Sequence, residues 1–290
     1  MHNIKSFPIK FYFNEKIGWD LKPGKYLIKY NPKFENKFQI SITDEKYRFS
    51  GNVNQNNDDI IILGGSVTLG FGVNDDETFS YLIQKKLSKF NIKNYAAGGY
   101  STYQSFLKLE EILKKKNKIK FIFAIYNVDH EIRNIGNEEW LKILTKYSSK
   151  GYLYVPFASL DKNGELKRFK PIKYIRLPFS DKLLIINKIE KAFMRLFFYY
   201  KKSNQKLTTL KIFEEMHNLA KKNESELIII SLSGNVDNLY RKFFDENQIK
   251  NIICQIPYND KYIIKGDAHP NKEGHNLFGD CILNELTFLM

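Results

Sequence analysis

Short apolar runs alternate along this chain with segments whose apolar residues recur every three or four positions. That alternation is what a parallel sheet joined by crossover helices writes into a sequence. Five runs are predicted as strands: 59–63, 93–97, 120–126, 226–231 and 251–255. Between the first two, Phe79, Leu82, Ile83 and Leu87 keep helical spacing, with Asp75 and Asp76 as N-cap candidates. Phe106, Leu109, Ile112 and Leu113 mark a second helix, and Leu210, Phe213, Met216 and Leu219 a third. A last helix over about 272–286 places Phe278, Ile282 and Leu286 on one face.

Two regions break the alternation. Residues 1–57 carry Pro23-Gly24 and then two runs, 25–30 and 38–42, that alternate like short strands, so a small β-rich N-terminal element is expected before a main α/β unit over 58–290. Residues 136–205 form a long insertion. Its centre, Leu160 to Glu165, contains Asn163-Gly164, a dipeptide suited to the positive backbone angles of a hairpin turn. Its second half, 183–200, is apolar, aromatic and basic. Such stripes usually mean packing, so a core-packed helix is expected there ahead of a membrane-surface helix. A lid over a substrate cleft is a third reading, because loops after parallel strands line such clefts.

Composition narrows the class. With 290 residues, 43% of them hydrophobic, the chain can bury a large core. No apolar stretch reaches the roughly 18 residues of a membrane-crossing helix, and the first twenty residues lack a basic-then-apolar leader pattern. A cytoplasmic location is therefore expected, or a periplasmic one if a leader was trimmed. Cys254 and Cys281 lie in apolar periodic segments and are expected as buried thiols. The net charge of +14 comes from 40 Lys against 6 Arg, scattered over nearly every helix. Readers of bases and phosphates favour arginine forks, so a solvated lysine surface is expected and no nucleic-acid partner.

The candidate chemistry sits at strand ends. Ser66 follows the 59–63 run through Gly64-Gly65, a turn at the carboxyl edge where open α/β sheets place their ligands. Thr68 stands where the nucleophile elbow of α/β-hydrolases needs glycine, and no Gly-Lys-Ser/Thr ending or G-x-G-x-x-G run supports phosphate binding. The second predicted strand runs into Gly98-Gly99-Tyr100-Ser101, a corner whose backbone N–H can face an oxyanion, and the third ends at Asn127, a side-chain amide donor. Near the C-terminus stands Asp267-Ala268-His269-Pro270. Pro270 favours extended backbone before it, which lets Asp267 hold the imidazole of His269 in one tautomer and leaves the other nitrogen to take a serine proton. Asp-x-His also opens metallophosphoesterases, but only 21 residues follow His269 here, leaving no room for further ligands, so no metal is expected. His275 reads as structural. Asp129, His130, Glu131 and Arg133 follow the third strand; Arg133 can take an acidic group of a substrate, and a surface ion-pair network accounts for the cluster equally well.

Gly64-Gly65-Ser66, then Asn94 to Gly99, then Asn127, then Asp267 to Asn271, taken in that order, resemble the four blocks of the SGNH (GDSL-type) hydrolase family. The similarity spans about 58–135 and 205–288, and Gly70 to Phe79 resembles the stretch after the serine in many bacterial members. The resemblance implies a three-layer, flavodoxin-like α/β sandwich with a five-stranded parallel sheet. It implies Ser66 as nucleophile, His269 as base, Asp267 as its orienter, and Gly99 and Asn127 as oxyanion donors. Tyr100, His130 and Arg133 are then candidates to contact substrate. Two departures stand out: Gly65 replaces the aspartate before the serine, and the third block, usually Gly-x-Asn-Asp, reads Tyr126-Asn127-Val128-Asp129. Asn134 is the substitute donor if Asn127 fails. The implied function is a cofactor-free serine esterase releasing a small acyl group, acetyl above all, from a carbohydrate or related ester. Two alternatives remain: an O-acetyltransferase passing the same acyl group to a glycan hydroxyl, and an inactive glycan-binding module.

Overall fold

A computed structural model describes residues 11–289 except 32–33, 116–117, 146–147, 149–151, 181, 198–203, 233–235 and 268. Five strands, β5 (Asp58–Leu63), β6 (Phe90–Asn94), β7 (Ile119–Tyr126), β10 (Glu226–Ser231) and β11 (Lys250–Ile253), form one parallel sheet. Their order is β11-β10-β7-β5-β6, the doubly wound arrangement in which the chain leaves β5 in one direction and returns to β7 on its other side. Open α/β sheets bind their ligands at such a reversal, which here lies beyond the carboxyl ends of β5 and β7.

Side chains alternate across the strands, so one sequence run feeds two cores. Ile61, Leu63, Ile122, Ala124, Leu227 and Ile229 face a core closed by α3 (Thr102–Leu113) and α7 (Gln205–Lys222). Ile60, Ile62, Phe121, Phe123, Ile228 and Ile230 face the other, closed by α2 (Phe79–Lys86) and α9 (Lys272–Leu289). Each fully buried isoleucine or phenylalanine contributes about 1.5–3 kcal/mol relative to exposure. The three-layer expectation is met.

The second strand begins three residues earlier than its apolar pattern suggests. Asn91 hides its start, since it is a buried polar residue that donates to Asp59 at 3.1 Å; Lys93 on the same strand is also buried and pairs with the same carboxylate at 2.9 Å. Beyond Asn94 the backbone still pairs with β5, Tyr95 N–H donating to Ile62 at 2.8 Å and Ala97 N–H to Gly64 at 3.2 Å.

The N-terminal element is two antiparallel hairpins. One joins β1 (Phe11–Asn14) to β2 (Gly18–Leu21), which the polarity pattern does not reveal, and the other joins β3 (Gly24–Asn31) to β4 (Phe34–Ile42). The insertion carries α5 (Glu138–Thr145), the hairpin of β8 (Tyr152–Leu160) and β9 (Leu166–Ile175), and α6 (Leu184–Phe197). The β8–β9 turn closes through Asp161 and Glu165, with Gly164 alone at positive φ (+81°). β2 and β8 meet so closely that a Cβ on Gly18 would lie 2.2 Å from the Tyr154 carbonyl oxygen. Ile17, Trp19 and Leu21 thus share one apolar core with Val155 and Phe157 and with the sheet.

Two expectations are corrected. Cys254 and Cys281 are joined in a disulfide, not held as thiols, because the segment after β11 packs on α9 and sets their Cα atoms 5.9 Å apart. The helix within 183–200 packs on the core by one side alone, through Met194 with Glu190 also buried, while Leu184 and Ile185 are about 70% exposed.

Candidate active site

Ser66 opens α1 (Ser66–Leu69), a single turn that leaves the carboxyl end of β5 through Gly64 and Gly65. A Cβ on Gly64 would lie 2.2 Å from the Thr68 hydroxyl, so only glycine lets the chain double back this tightly. Gly70 ends the turn in the left-handed conformation (φ 77°), with its N–H on the Val67 carbonyl at 3.0 Å. The carbonyls at the foot of the turn have dedicated donors. Asn94 Nδ2 donates to Thr68 at 2.7 Å. Arg48, wholly buried, donates through Nη1 to Leu69 and Gly70, through Nη2 to Val73 at 2.7 Å and Gln39 at 3.2 Å, and through Nε to the Asp75 carboxylate at 3.2 Å. Burial pulls the Arg48 pKa down to about 10, which leaves it charged at neutral pH.

His269 arrives on the segment between β11 and α9. Asp267 N–H donates to Ile264, Ile264 N–H donates back to the His269 carbonyl, both at 2.9 Å, and Ile263 bridges Pro270. The residue pair predicted from sequence is thereby clamped in a tight loop. Asp267 Oδ1 accepts from the His269 backbone N–H at 2.8 Å and from its Nδ1. The opposite nitrogen, Nε2, lies 2.8 Å from Ser66 Oγ, 203 residues away in the chain. The Phe71 ring, carried by the loop that Arg48 anchors, packs at 5.0 Å against the imidazole. Hydroxyl, imidazole and carboxylate form one hydrogen-bonded line at the edge of the parallel sheet. Such a line can move a proton from the hydroxyl to the ring and steady the resulting imidazolium.

Gly99 sits at the β6–α3 corner with φ 79°, where a Cβ would strike Leu144 at 2.7 Å. Asn127 follows β7 at the reversal point, half-buried, its carbonyl accepting from His130 N–H at 2.8 Å. The substitute donor Asn134 is excluded: it is wholly buried, its oxygen taken by Tyr103 N–H at 2.9 Å and its nitrogen by Thr209 at 2.8 Å.

The candidate substrate contacts divide. The Tyr100 side chain is buried with its hydroxyl donating to the Trp19 carbonyl at 2.6 Å, so it is a core residue. His130 is also buried, beneath the nucleophile turn, and burial holds its pKa well below the usual histidine value. Arg133 keeps 12% of its side chain exposed, stacks at 4.0 Å over Trp140, and donates to the Tyr100 carbonyl at 3.2 Å. Its Nη1 and His130 Nε2 come within 3.3 and 3.1 Å of where a Cβ of Gly65 would stand. The position that carries aspartate in the family pattern is therefore crowded by a cation and an imidazole. Of the acidic residues in the cluster seen in sequence, Asp129 approaches Arg133 at 3.7 Å, whereas Glu131 is turned inward, accepting from Tyr126 at 2.7 Å and Tyr240 at 2.9 Å.

Sequence reasoning missed Arg48. A signal was present: in a chain with 40 Lys and 6 Arg, an arginine marks a place where a planar fork with several donors is needed. It also missed the open depression beside Asp267, lined by Tyr258, Asn259, Asp260, Ile263, Ile264 and Gly266.

Together, fold and site define a class of architecture: a doubly wound parallel α/β sandwich with a Ser–His–Asp line at its carboxyl edge. No family model matches the chain, and no curated protein matches it in sequence. Among solved structures it is similar to a lipolytic protein of the G-D-S-L family from Veillonella parvula, at 15% identity over 79% of this chain and 98% of that one, with a TM-score of 0.44. It is also similar to the psychrotrophic esterase EstA from Pseudoalteromonas sp. (10% identity, 80% and 98% covered, TM-score 0.43). A third is the acetylxylan esterase Axe2 from Geobacillus stearothermophilus, in a catalytic mutant (10% identity, 79% and 93% covered, TM-score 0.41).

Proposed function

We propose that this protein is a serine esterase of the SGNH type, carried by one observation: Ser66 Oγ lies 2.8 Å from His269 Nε2 while Asp267 binds the other ring nitrogen. In this reading Ser66 Oγ attacks the ester carbonyl carbon and its proton passes to His269 Nε2. The charge gathering on the carbonyl oxygen is held by the N–H groups of Ser66 and Gly99 and the Asn127 amide. His269 then protonates the leaving alcohol, and water, deprotonated by the same nitrogen, releases the acid from Ser66. Asp267 keeps the ring in the tautomer that offers Nε2 as acceptor.

The acyl group is small and the alcohol a carbohydrate. What supports the second half is the depression beside Asp267, where Tyr258 stands 75% exposed next to Asn259 and Asp260. A solvent-facing aromatic ring with an amide and a carboxylate at its side is the surface that sugar rings stack on and hydrogen-bond to. Arg133, charged and at the edge of the same turn, suits an acidic group on that substrate.

A fluorophosphonate probe tests the mechanism, since it labels an activated serine and leaves an idle one. Wild type should be labelled, Ser66→Ala should not, and Asp267→Asn should lower kcat on an acetyl ester about 10⁴-fold through the wrong tautomer. Labelling unchanged in Ser66→Ala removes the reading. If acetyl passes to a glycan faster than acetate is released, the acyl-enzyme stands and the acceptor is a sugar hydroxyl.

A further inference from the structure

The insertion helix α6 is built inside out. Its inward face carries the buried Glu190, whose carboxylate accepts from Tyr174 at 2.6 Å and from Leu177 N–H at 3.1 Å, beside the buried Met194. Its outward face carries Leu184, Ile185 and Ile189 at 72, 69 and 56% exposure. The turn leading into the helix adds Phe179 at 63% and Leu183 at 50%, held to each other by the Leu183 N–H to Phe179 carbonyl bond at 2.9 Å. Single exposed apolar residues are ordinary, but five within one turn and two helical rows form a patch.

Charge decides what covers it. Lys182, Lys188 and Lys191 flank these side chains, and Glu190, turned inward, is the only acidic residue of the helix. A second copy seated on this face would set the same lysines against each other, in a chain of net charge +14. An apolar stripe rimmed by lysines instead fits an anionic phospholipid surface, where the stripe enters the acyl boundary and the lysines meet the headgroups. No described helix is long and apolar enough to cross a membrane, so the contact is interfacial.

We infer that α6 and the turn before it dock this protein on an anionic bilayer. The surface lies close to the candidate active site: α6 packs on α5, whose Trp140 and Leu144 close around Gly99. Docking here uses no residue of the Ser66–His269–Asp267 line.

Co-sedimentation of the full chain with vesicles of phosphatidylcholine, with and without phosphatidylglycerol, reads this directly and independently of esterase activity. Binding is expected only with the anionic lipid. Lys188→Gln with Lys191→Gln should lower the partition coefficient roughly 30-fold, since each lysine near the surface contributes about a fivefold factor. Ile185→Ser with Ile189→Ser should lower it by about 100-fold, with an unchanged melting temperature because both side chains already face solvent. Absence of binding to anionic vesicles, or binding that neither double variant weakens, overturns the inference. So does a concentration-dependent dimer in sedimentation velocity that dissociates in Ile185→Ser/Ile189→Ser, because a second copy would then be the occupant.

Discussion

Replacing Arg48 by methionine keeps the aliphatic stem and removes the guanidinium, so it isolates what the charge and its donors do. Arg48 has no exposed surface, and Asp75, its ion partner, keeps only 12% of its side chain in contact with solvent. Without the cation, the Asp75 carboxylate stays buried with the Ser41 N–H at 2.9 Å as its remaining donor, the carbonyls of Leu69 and Val73 lose theirs, and Gly70 keeps the long Val73 N–H bond at 3.4 Å. Breaking a buried pair from one side costs about 3–5 kcal/mol. At about 2 °C per kcal/mol for a chain of this size, the melting temperature should fall by about 6–10 °C. Removing the stranded charge as well, in Arg48→Met/Asp75→Leu, should recover part of that loss. The same carbonyls form the foot of the turn that presents Ser66, so fluorophosphonate labelling of the folded variant should slow by about 10- to 100-fold, the usual consequence of a displacement near 1 Å. Scanning calorimetry and time-resolved labelling measure both. A fall of less than about 2 °C, or a double variant no more stable than the single, would falsify the view that Arg48 clamps this turn.

Three further perturbations follow from the same contacts. His275 is buried against Phe79 with rings stacked at 5.8 Å, and burial, reinforced by the Arg48 charge, pulls its pKa down to about 3. The unfolded chain protonates this ring near pH 6.5, so it holds more protons between those values; stability is complete above about pH 6.5 and falls as pH drops, by about 2 kcal/mol at pH 5. Urea unfolding at pH 7 and pH 5 should show that extra loss in wild type and not in His275→Asn; equal losses refute it. Gly70→Ala forces a side chain into φ 77° with its Cβ 2.6 Å from Thr78 and 2.7 Å from Arg48, and should cost about 2–3 kcal/mol. An unchanged denaturation midpoint there would mean that the turn can rebuild. Reducing Cys254–Cys281, which closes a loop of sequence separation 27, should lower stability by about 3–4 kcal/mol. Dithiothreitol that leaves the thermal transition where it was would show the bond to be idle in the folded chain.

The strands and the candidate chemistry were legible in the linear pattern because both are local. An isoleucine run bounded by glycines states its strand and its turn within ten residues, as at Ile60 to Ser66. Asp267 and His269 state their pairing across one intervening residue. Their alignment with Ser66, 203 positions earlier, could be expected only from the order of blocks; the doubly wound sheet brings the hydroxyl and imidazole together.

Other features were settled by packing alone. Tyr100 and His130 stand near catalytic candidates in the chain, yet both are buried, Tyr100 in the core with its hydroxyl on the Trp19 carbonyl and His130 beneath the nucleophile turn, because a strand-to-helix corner does not fix which way its side chains turn. Asn91 and Lys93 look like surface residues and are buried, since Asp59 on the neighbouring strand satisfies both. Cys254 and Cys281 pair because a strand end meets a helix. The stripe of α6 is plain in sequence, but an amphipathic pattern fixes only which face is apolar. Whether that face looks inward or outward depends on Tyr174, on another element, holding Glu190 inside. Local spacing determined the strands, the turns and the reactive residue types. Long-range contact alone decided which of those side chains share a site, because burial and partnership belong to elements distant in the chain.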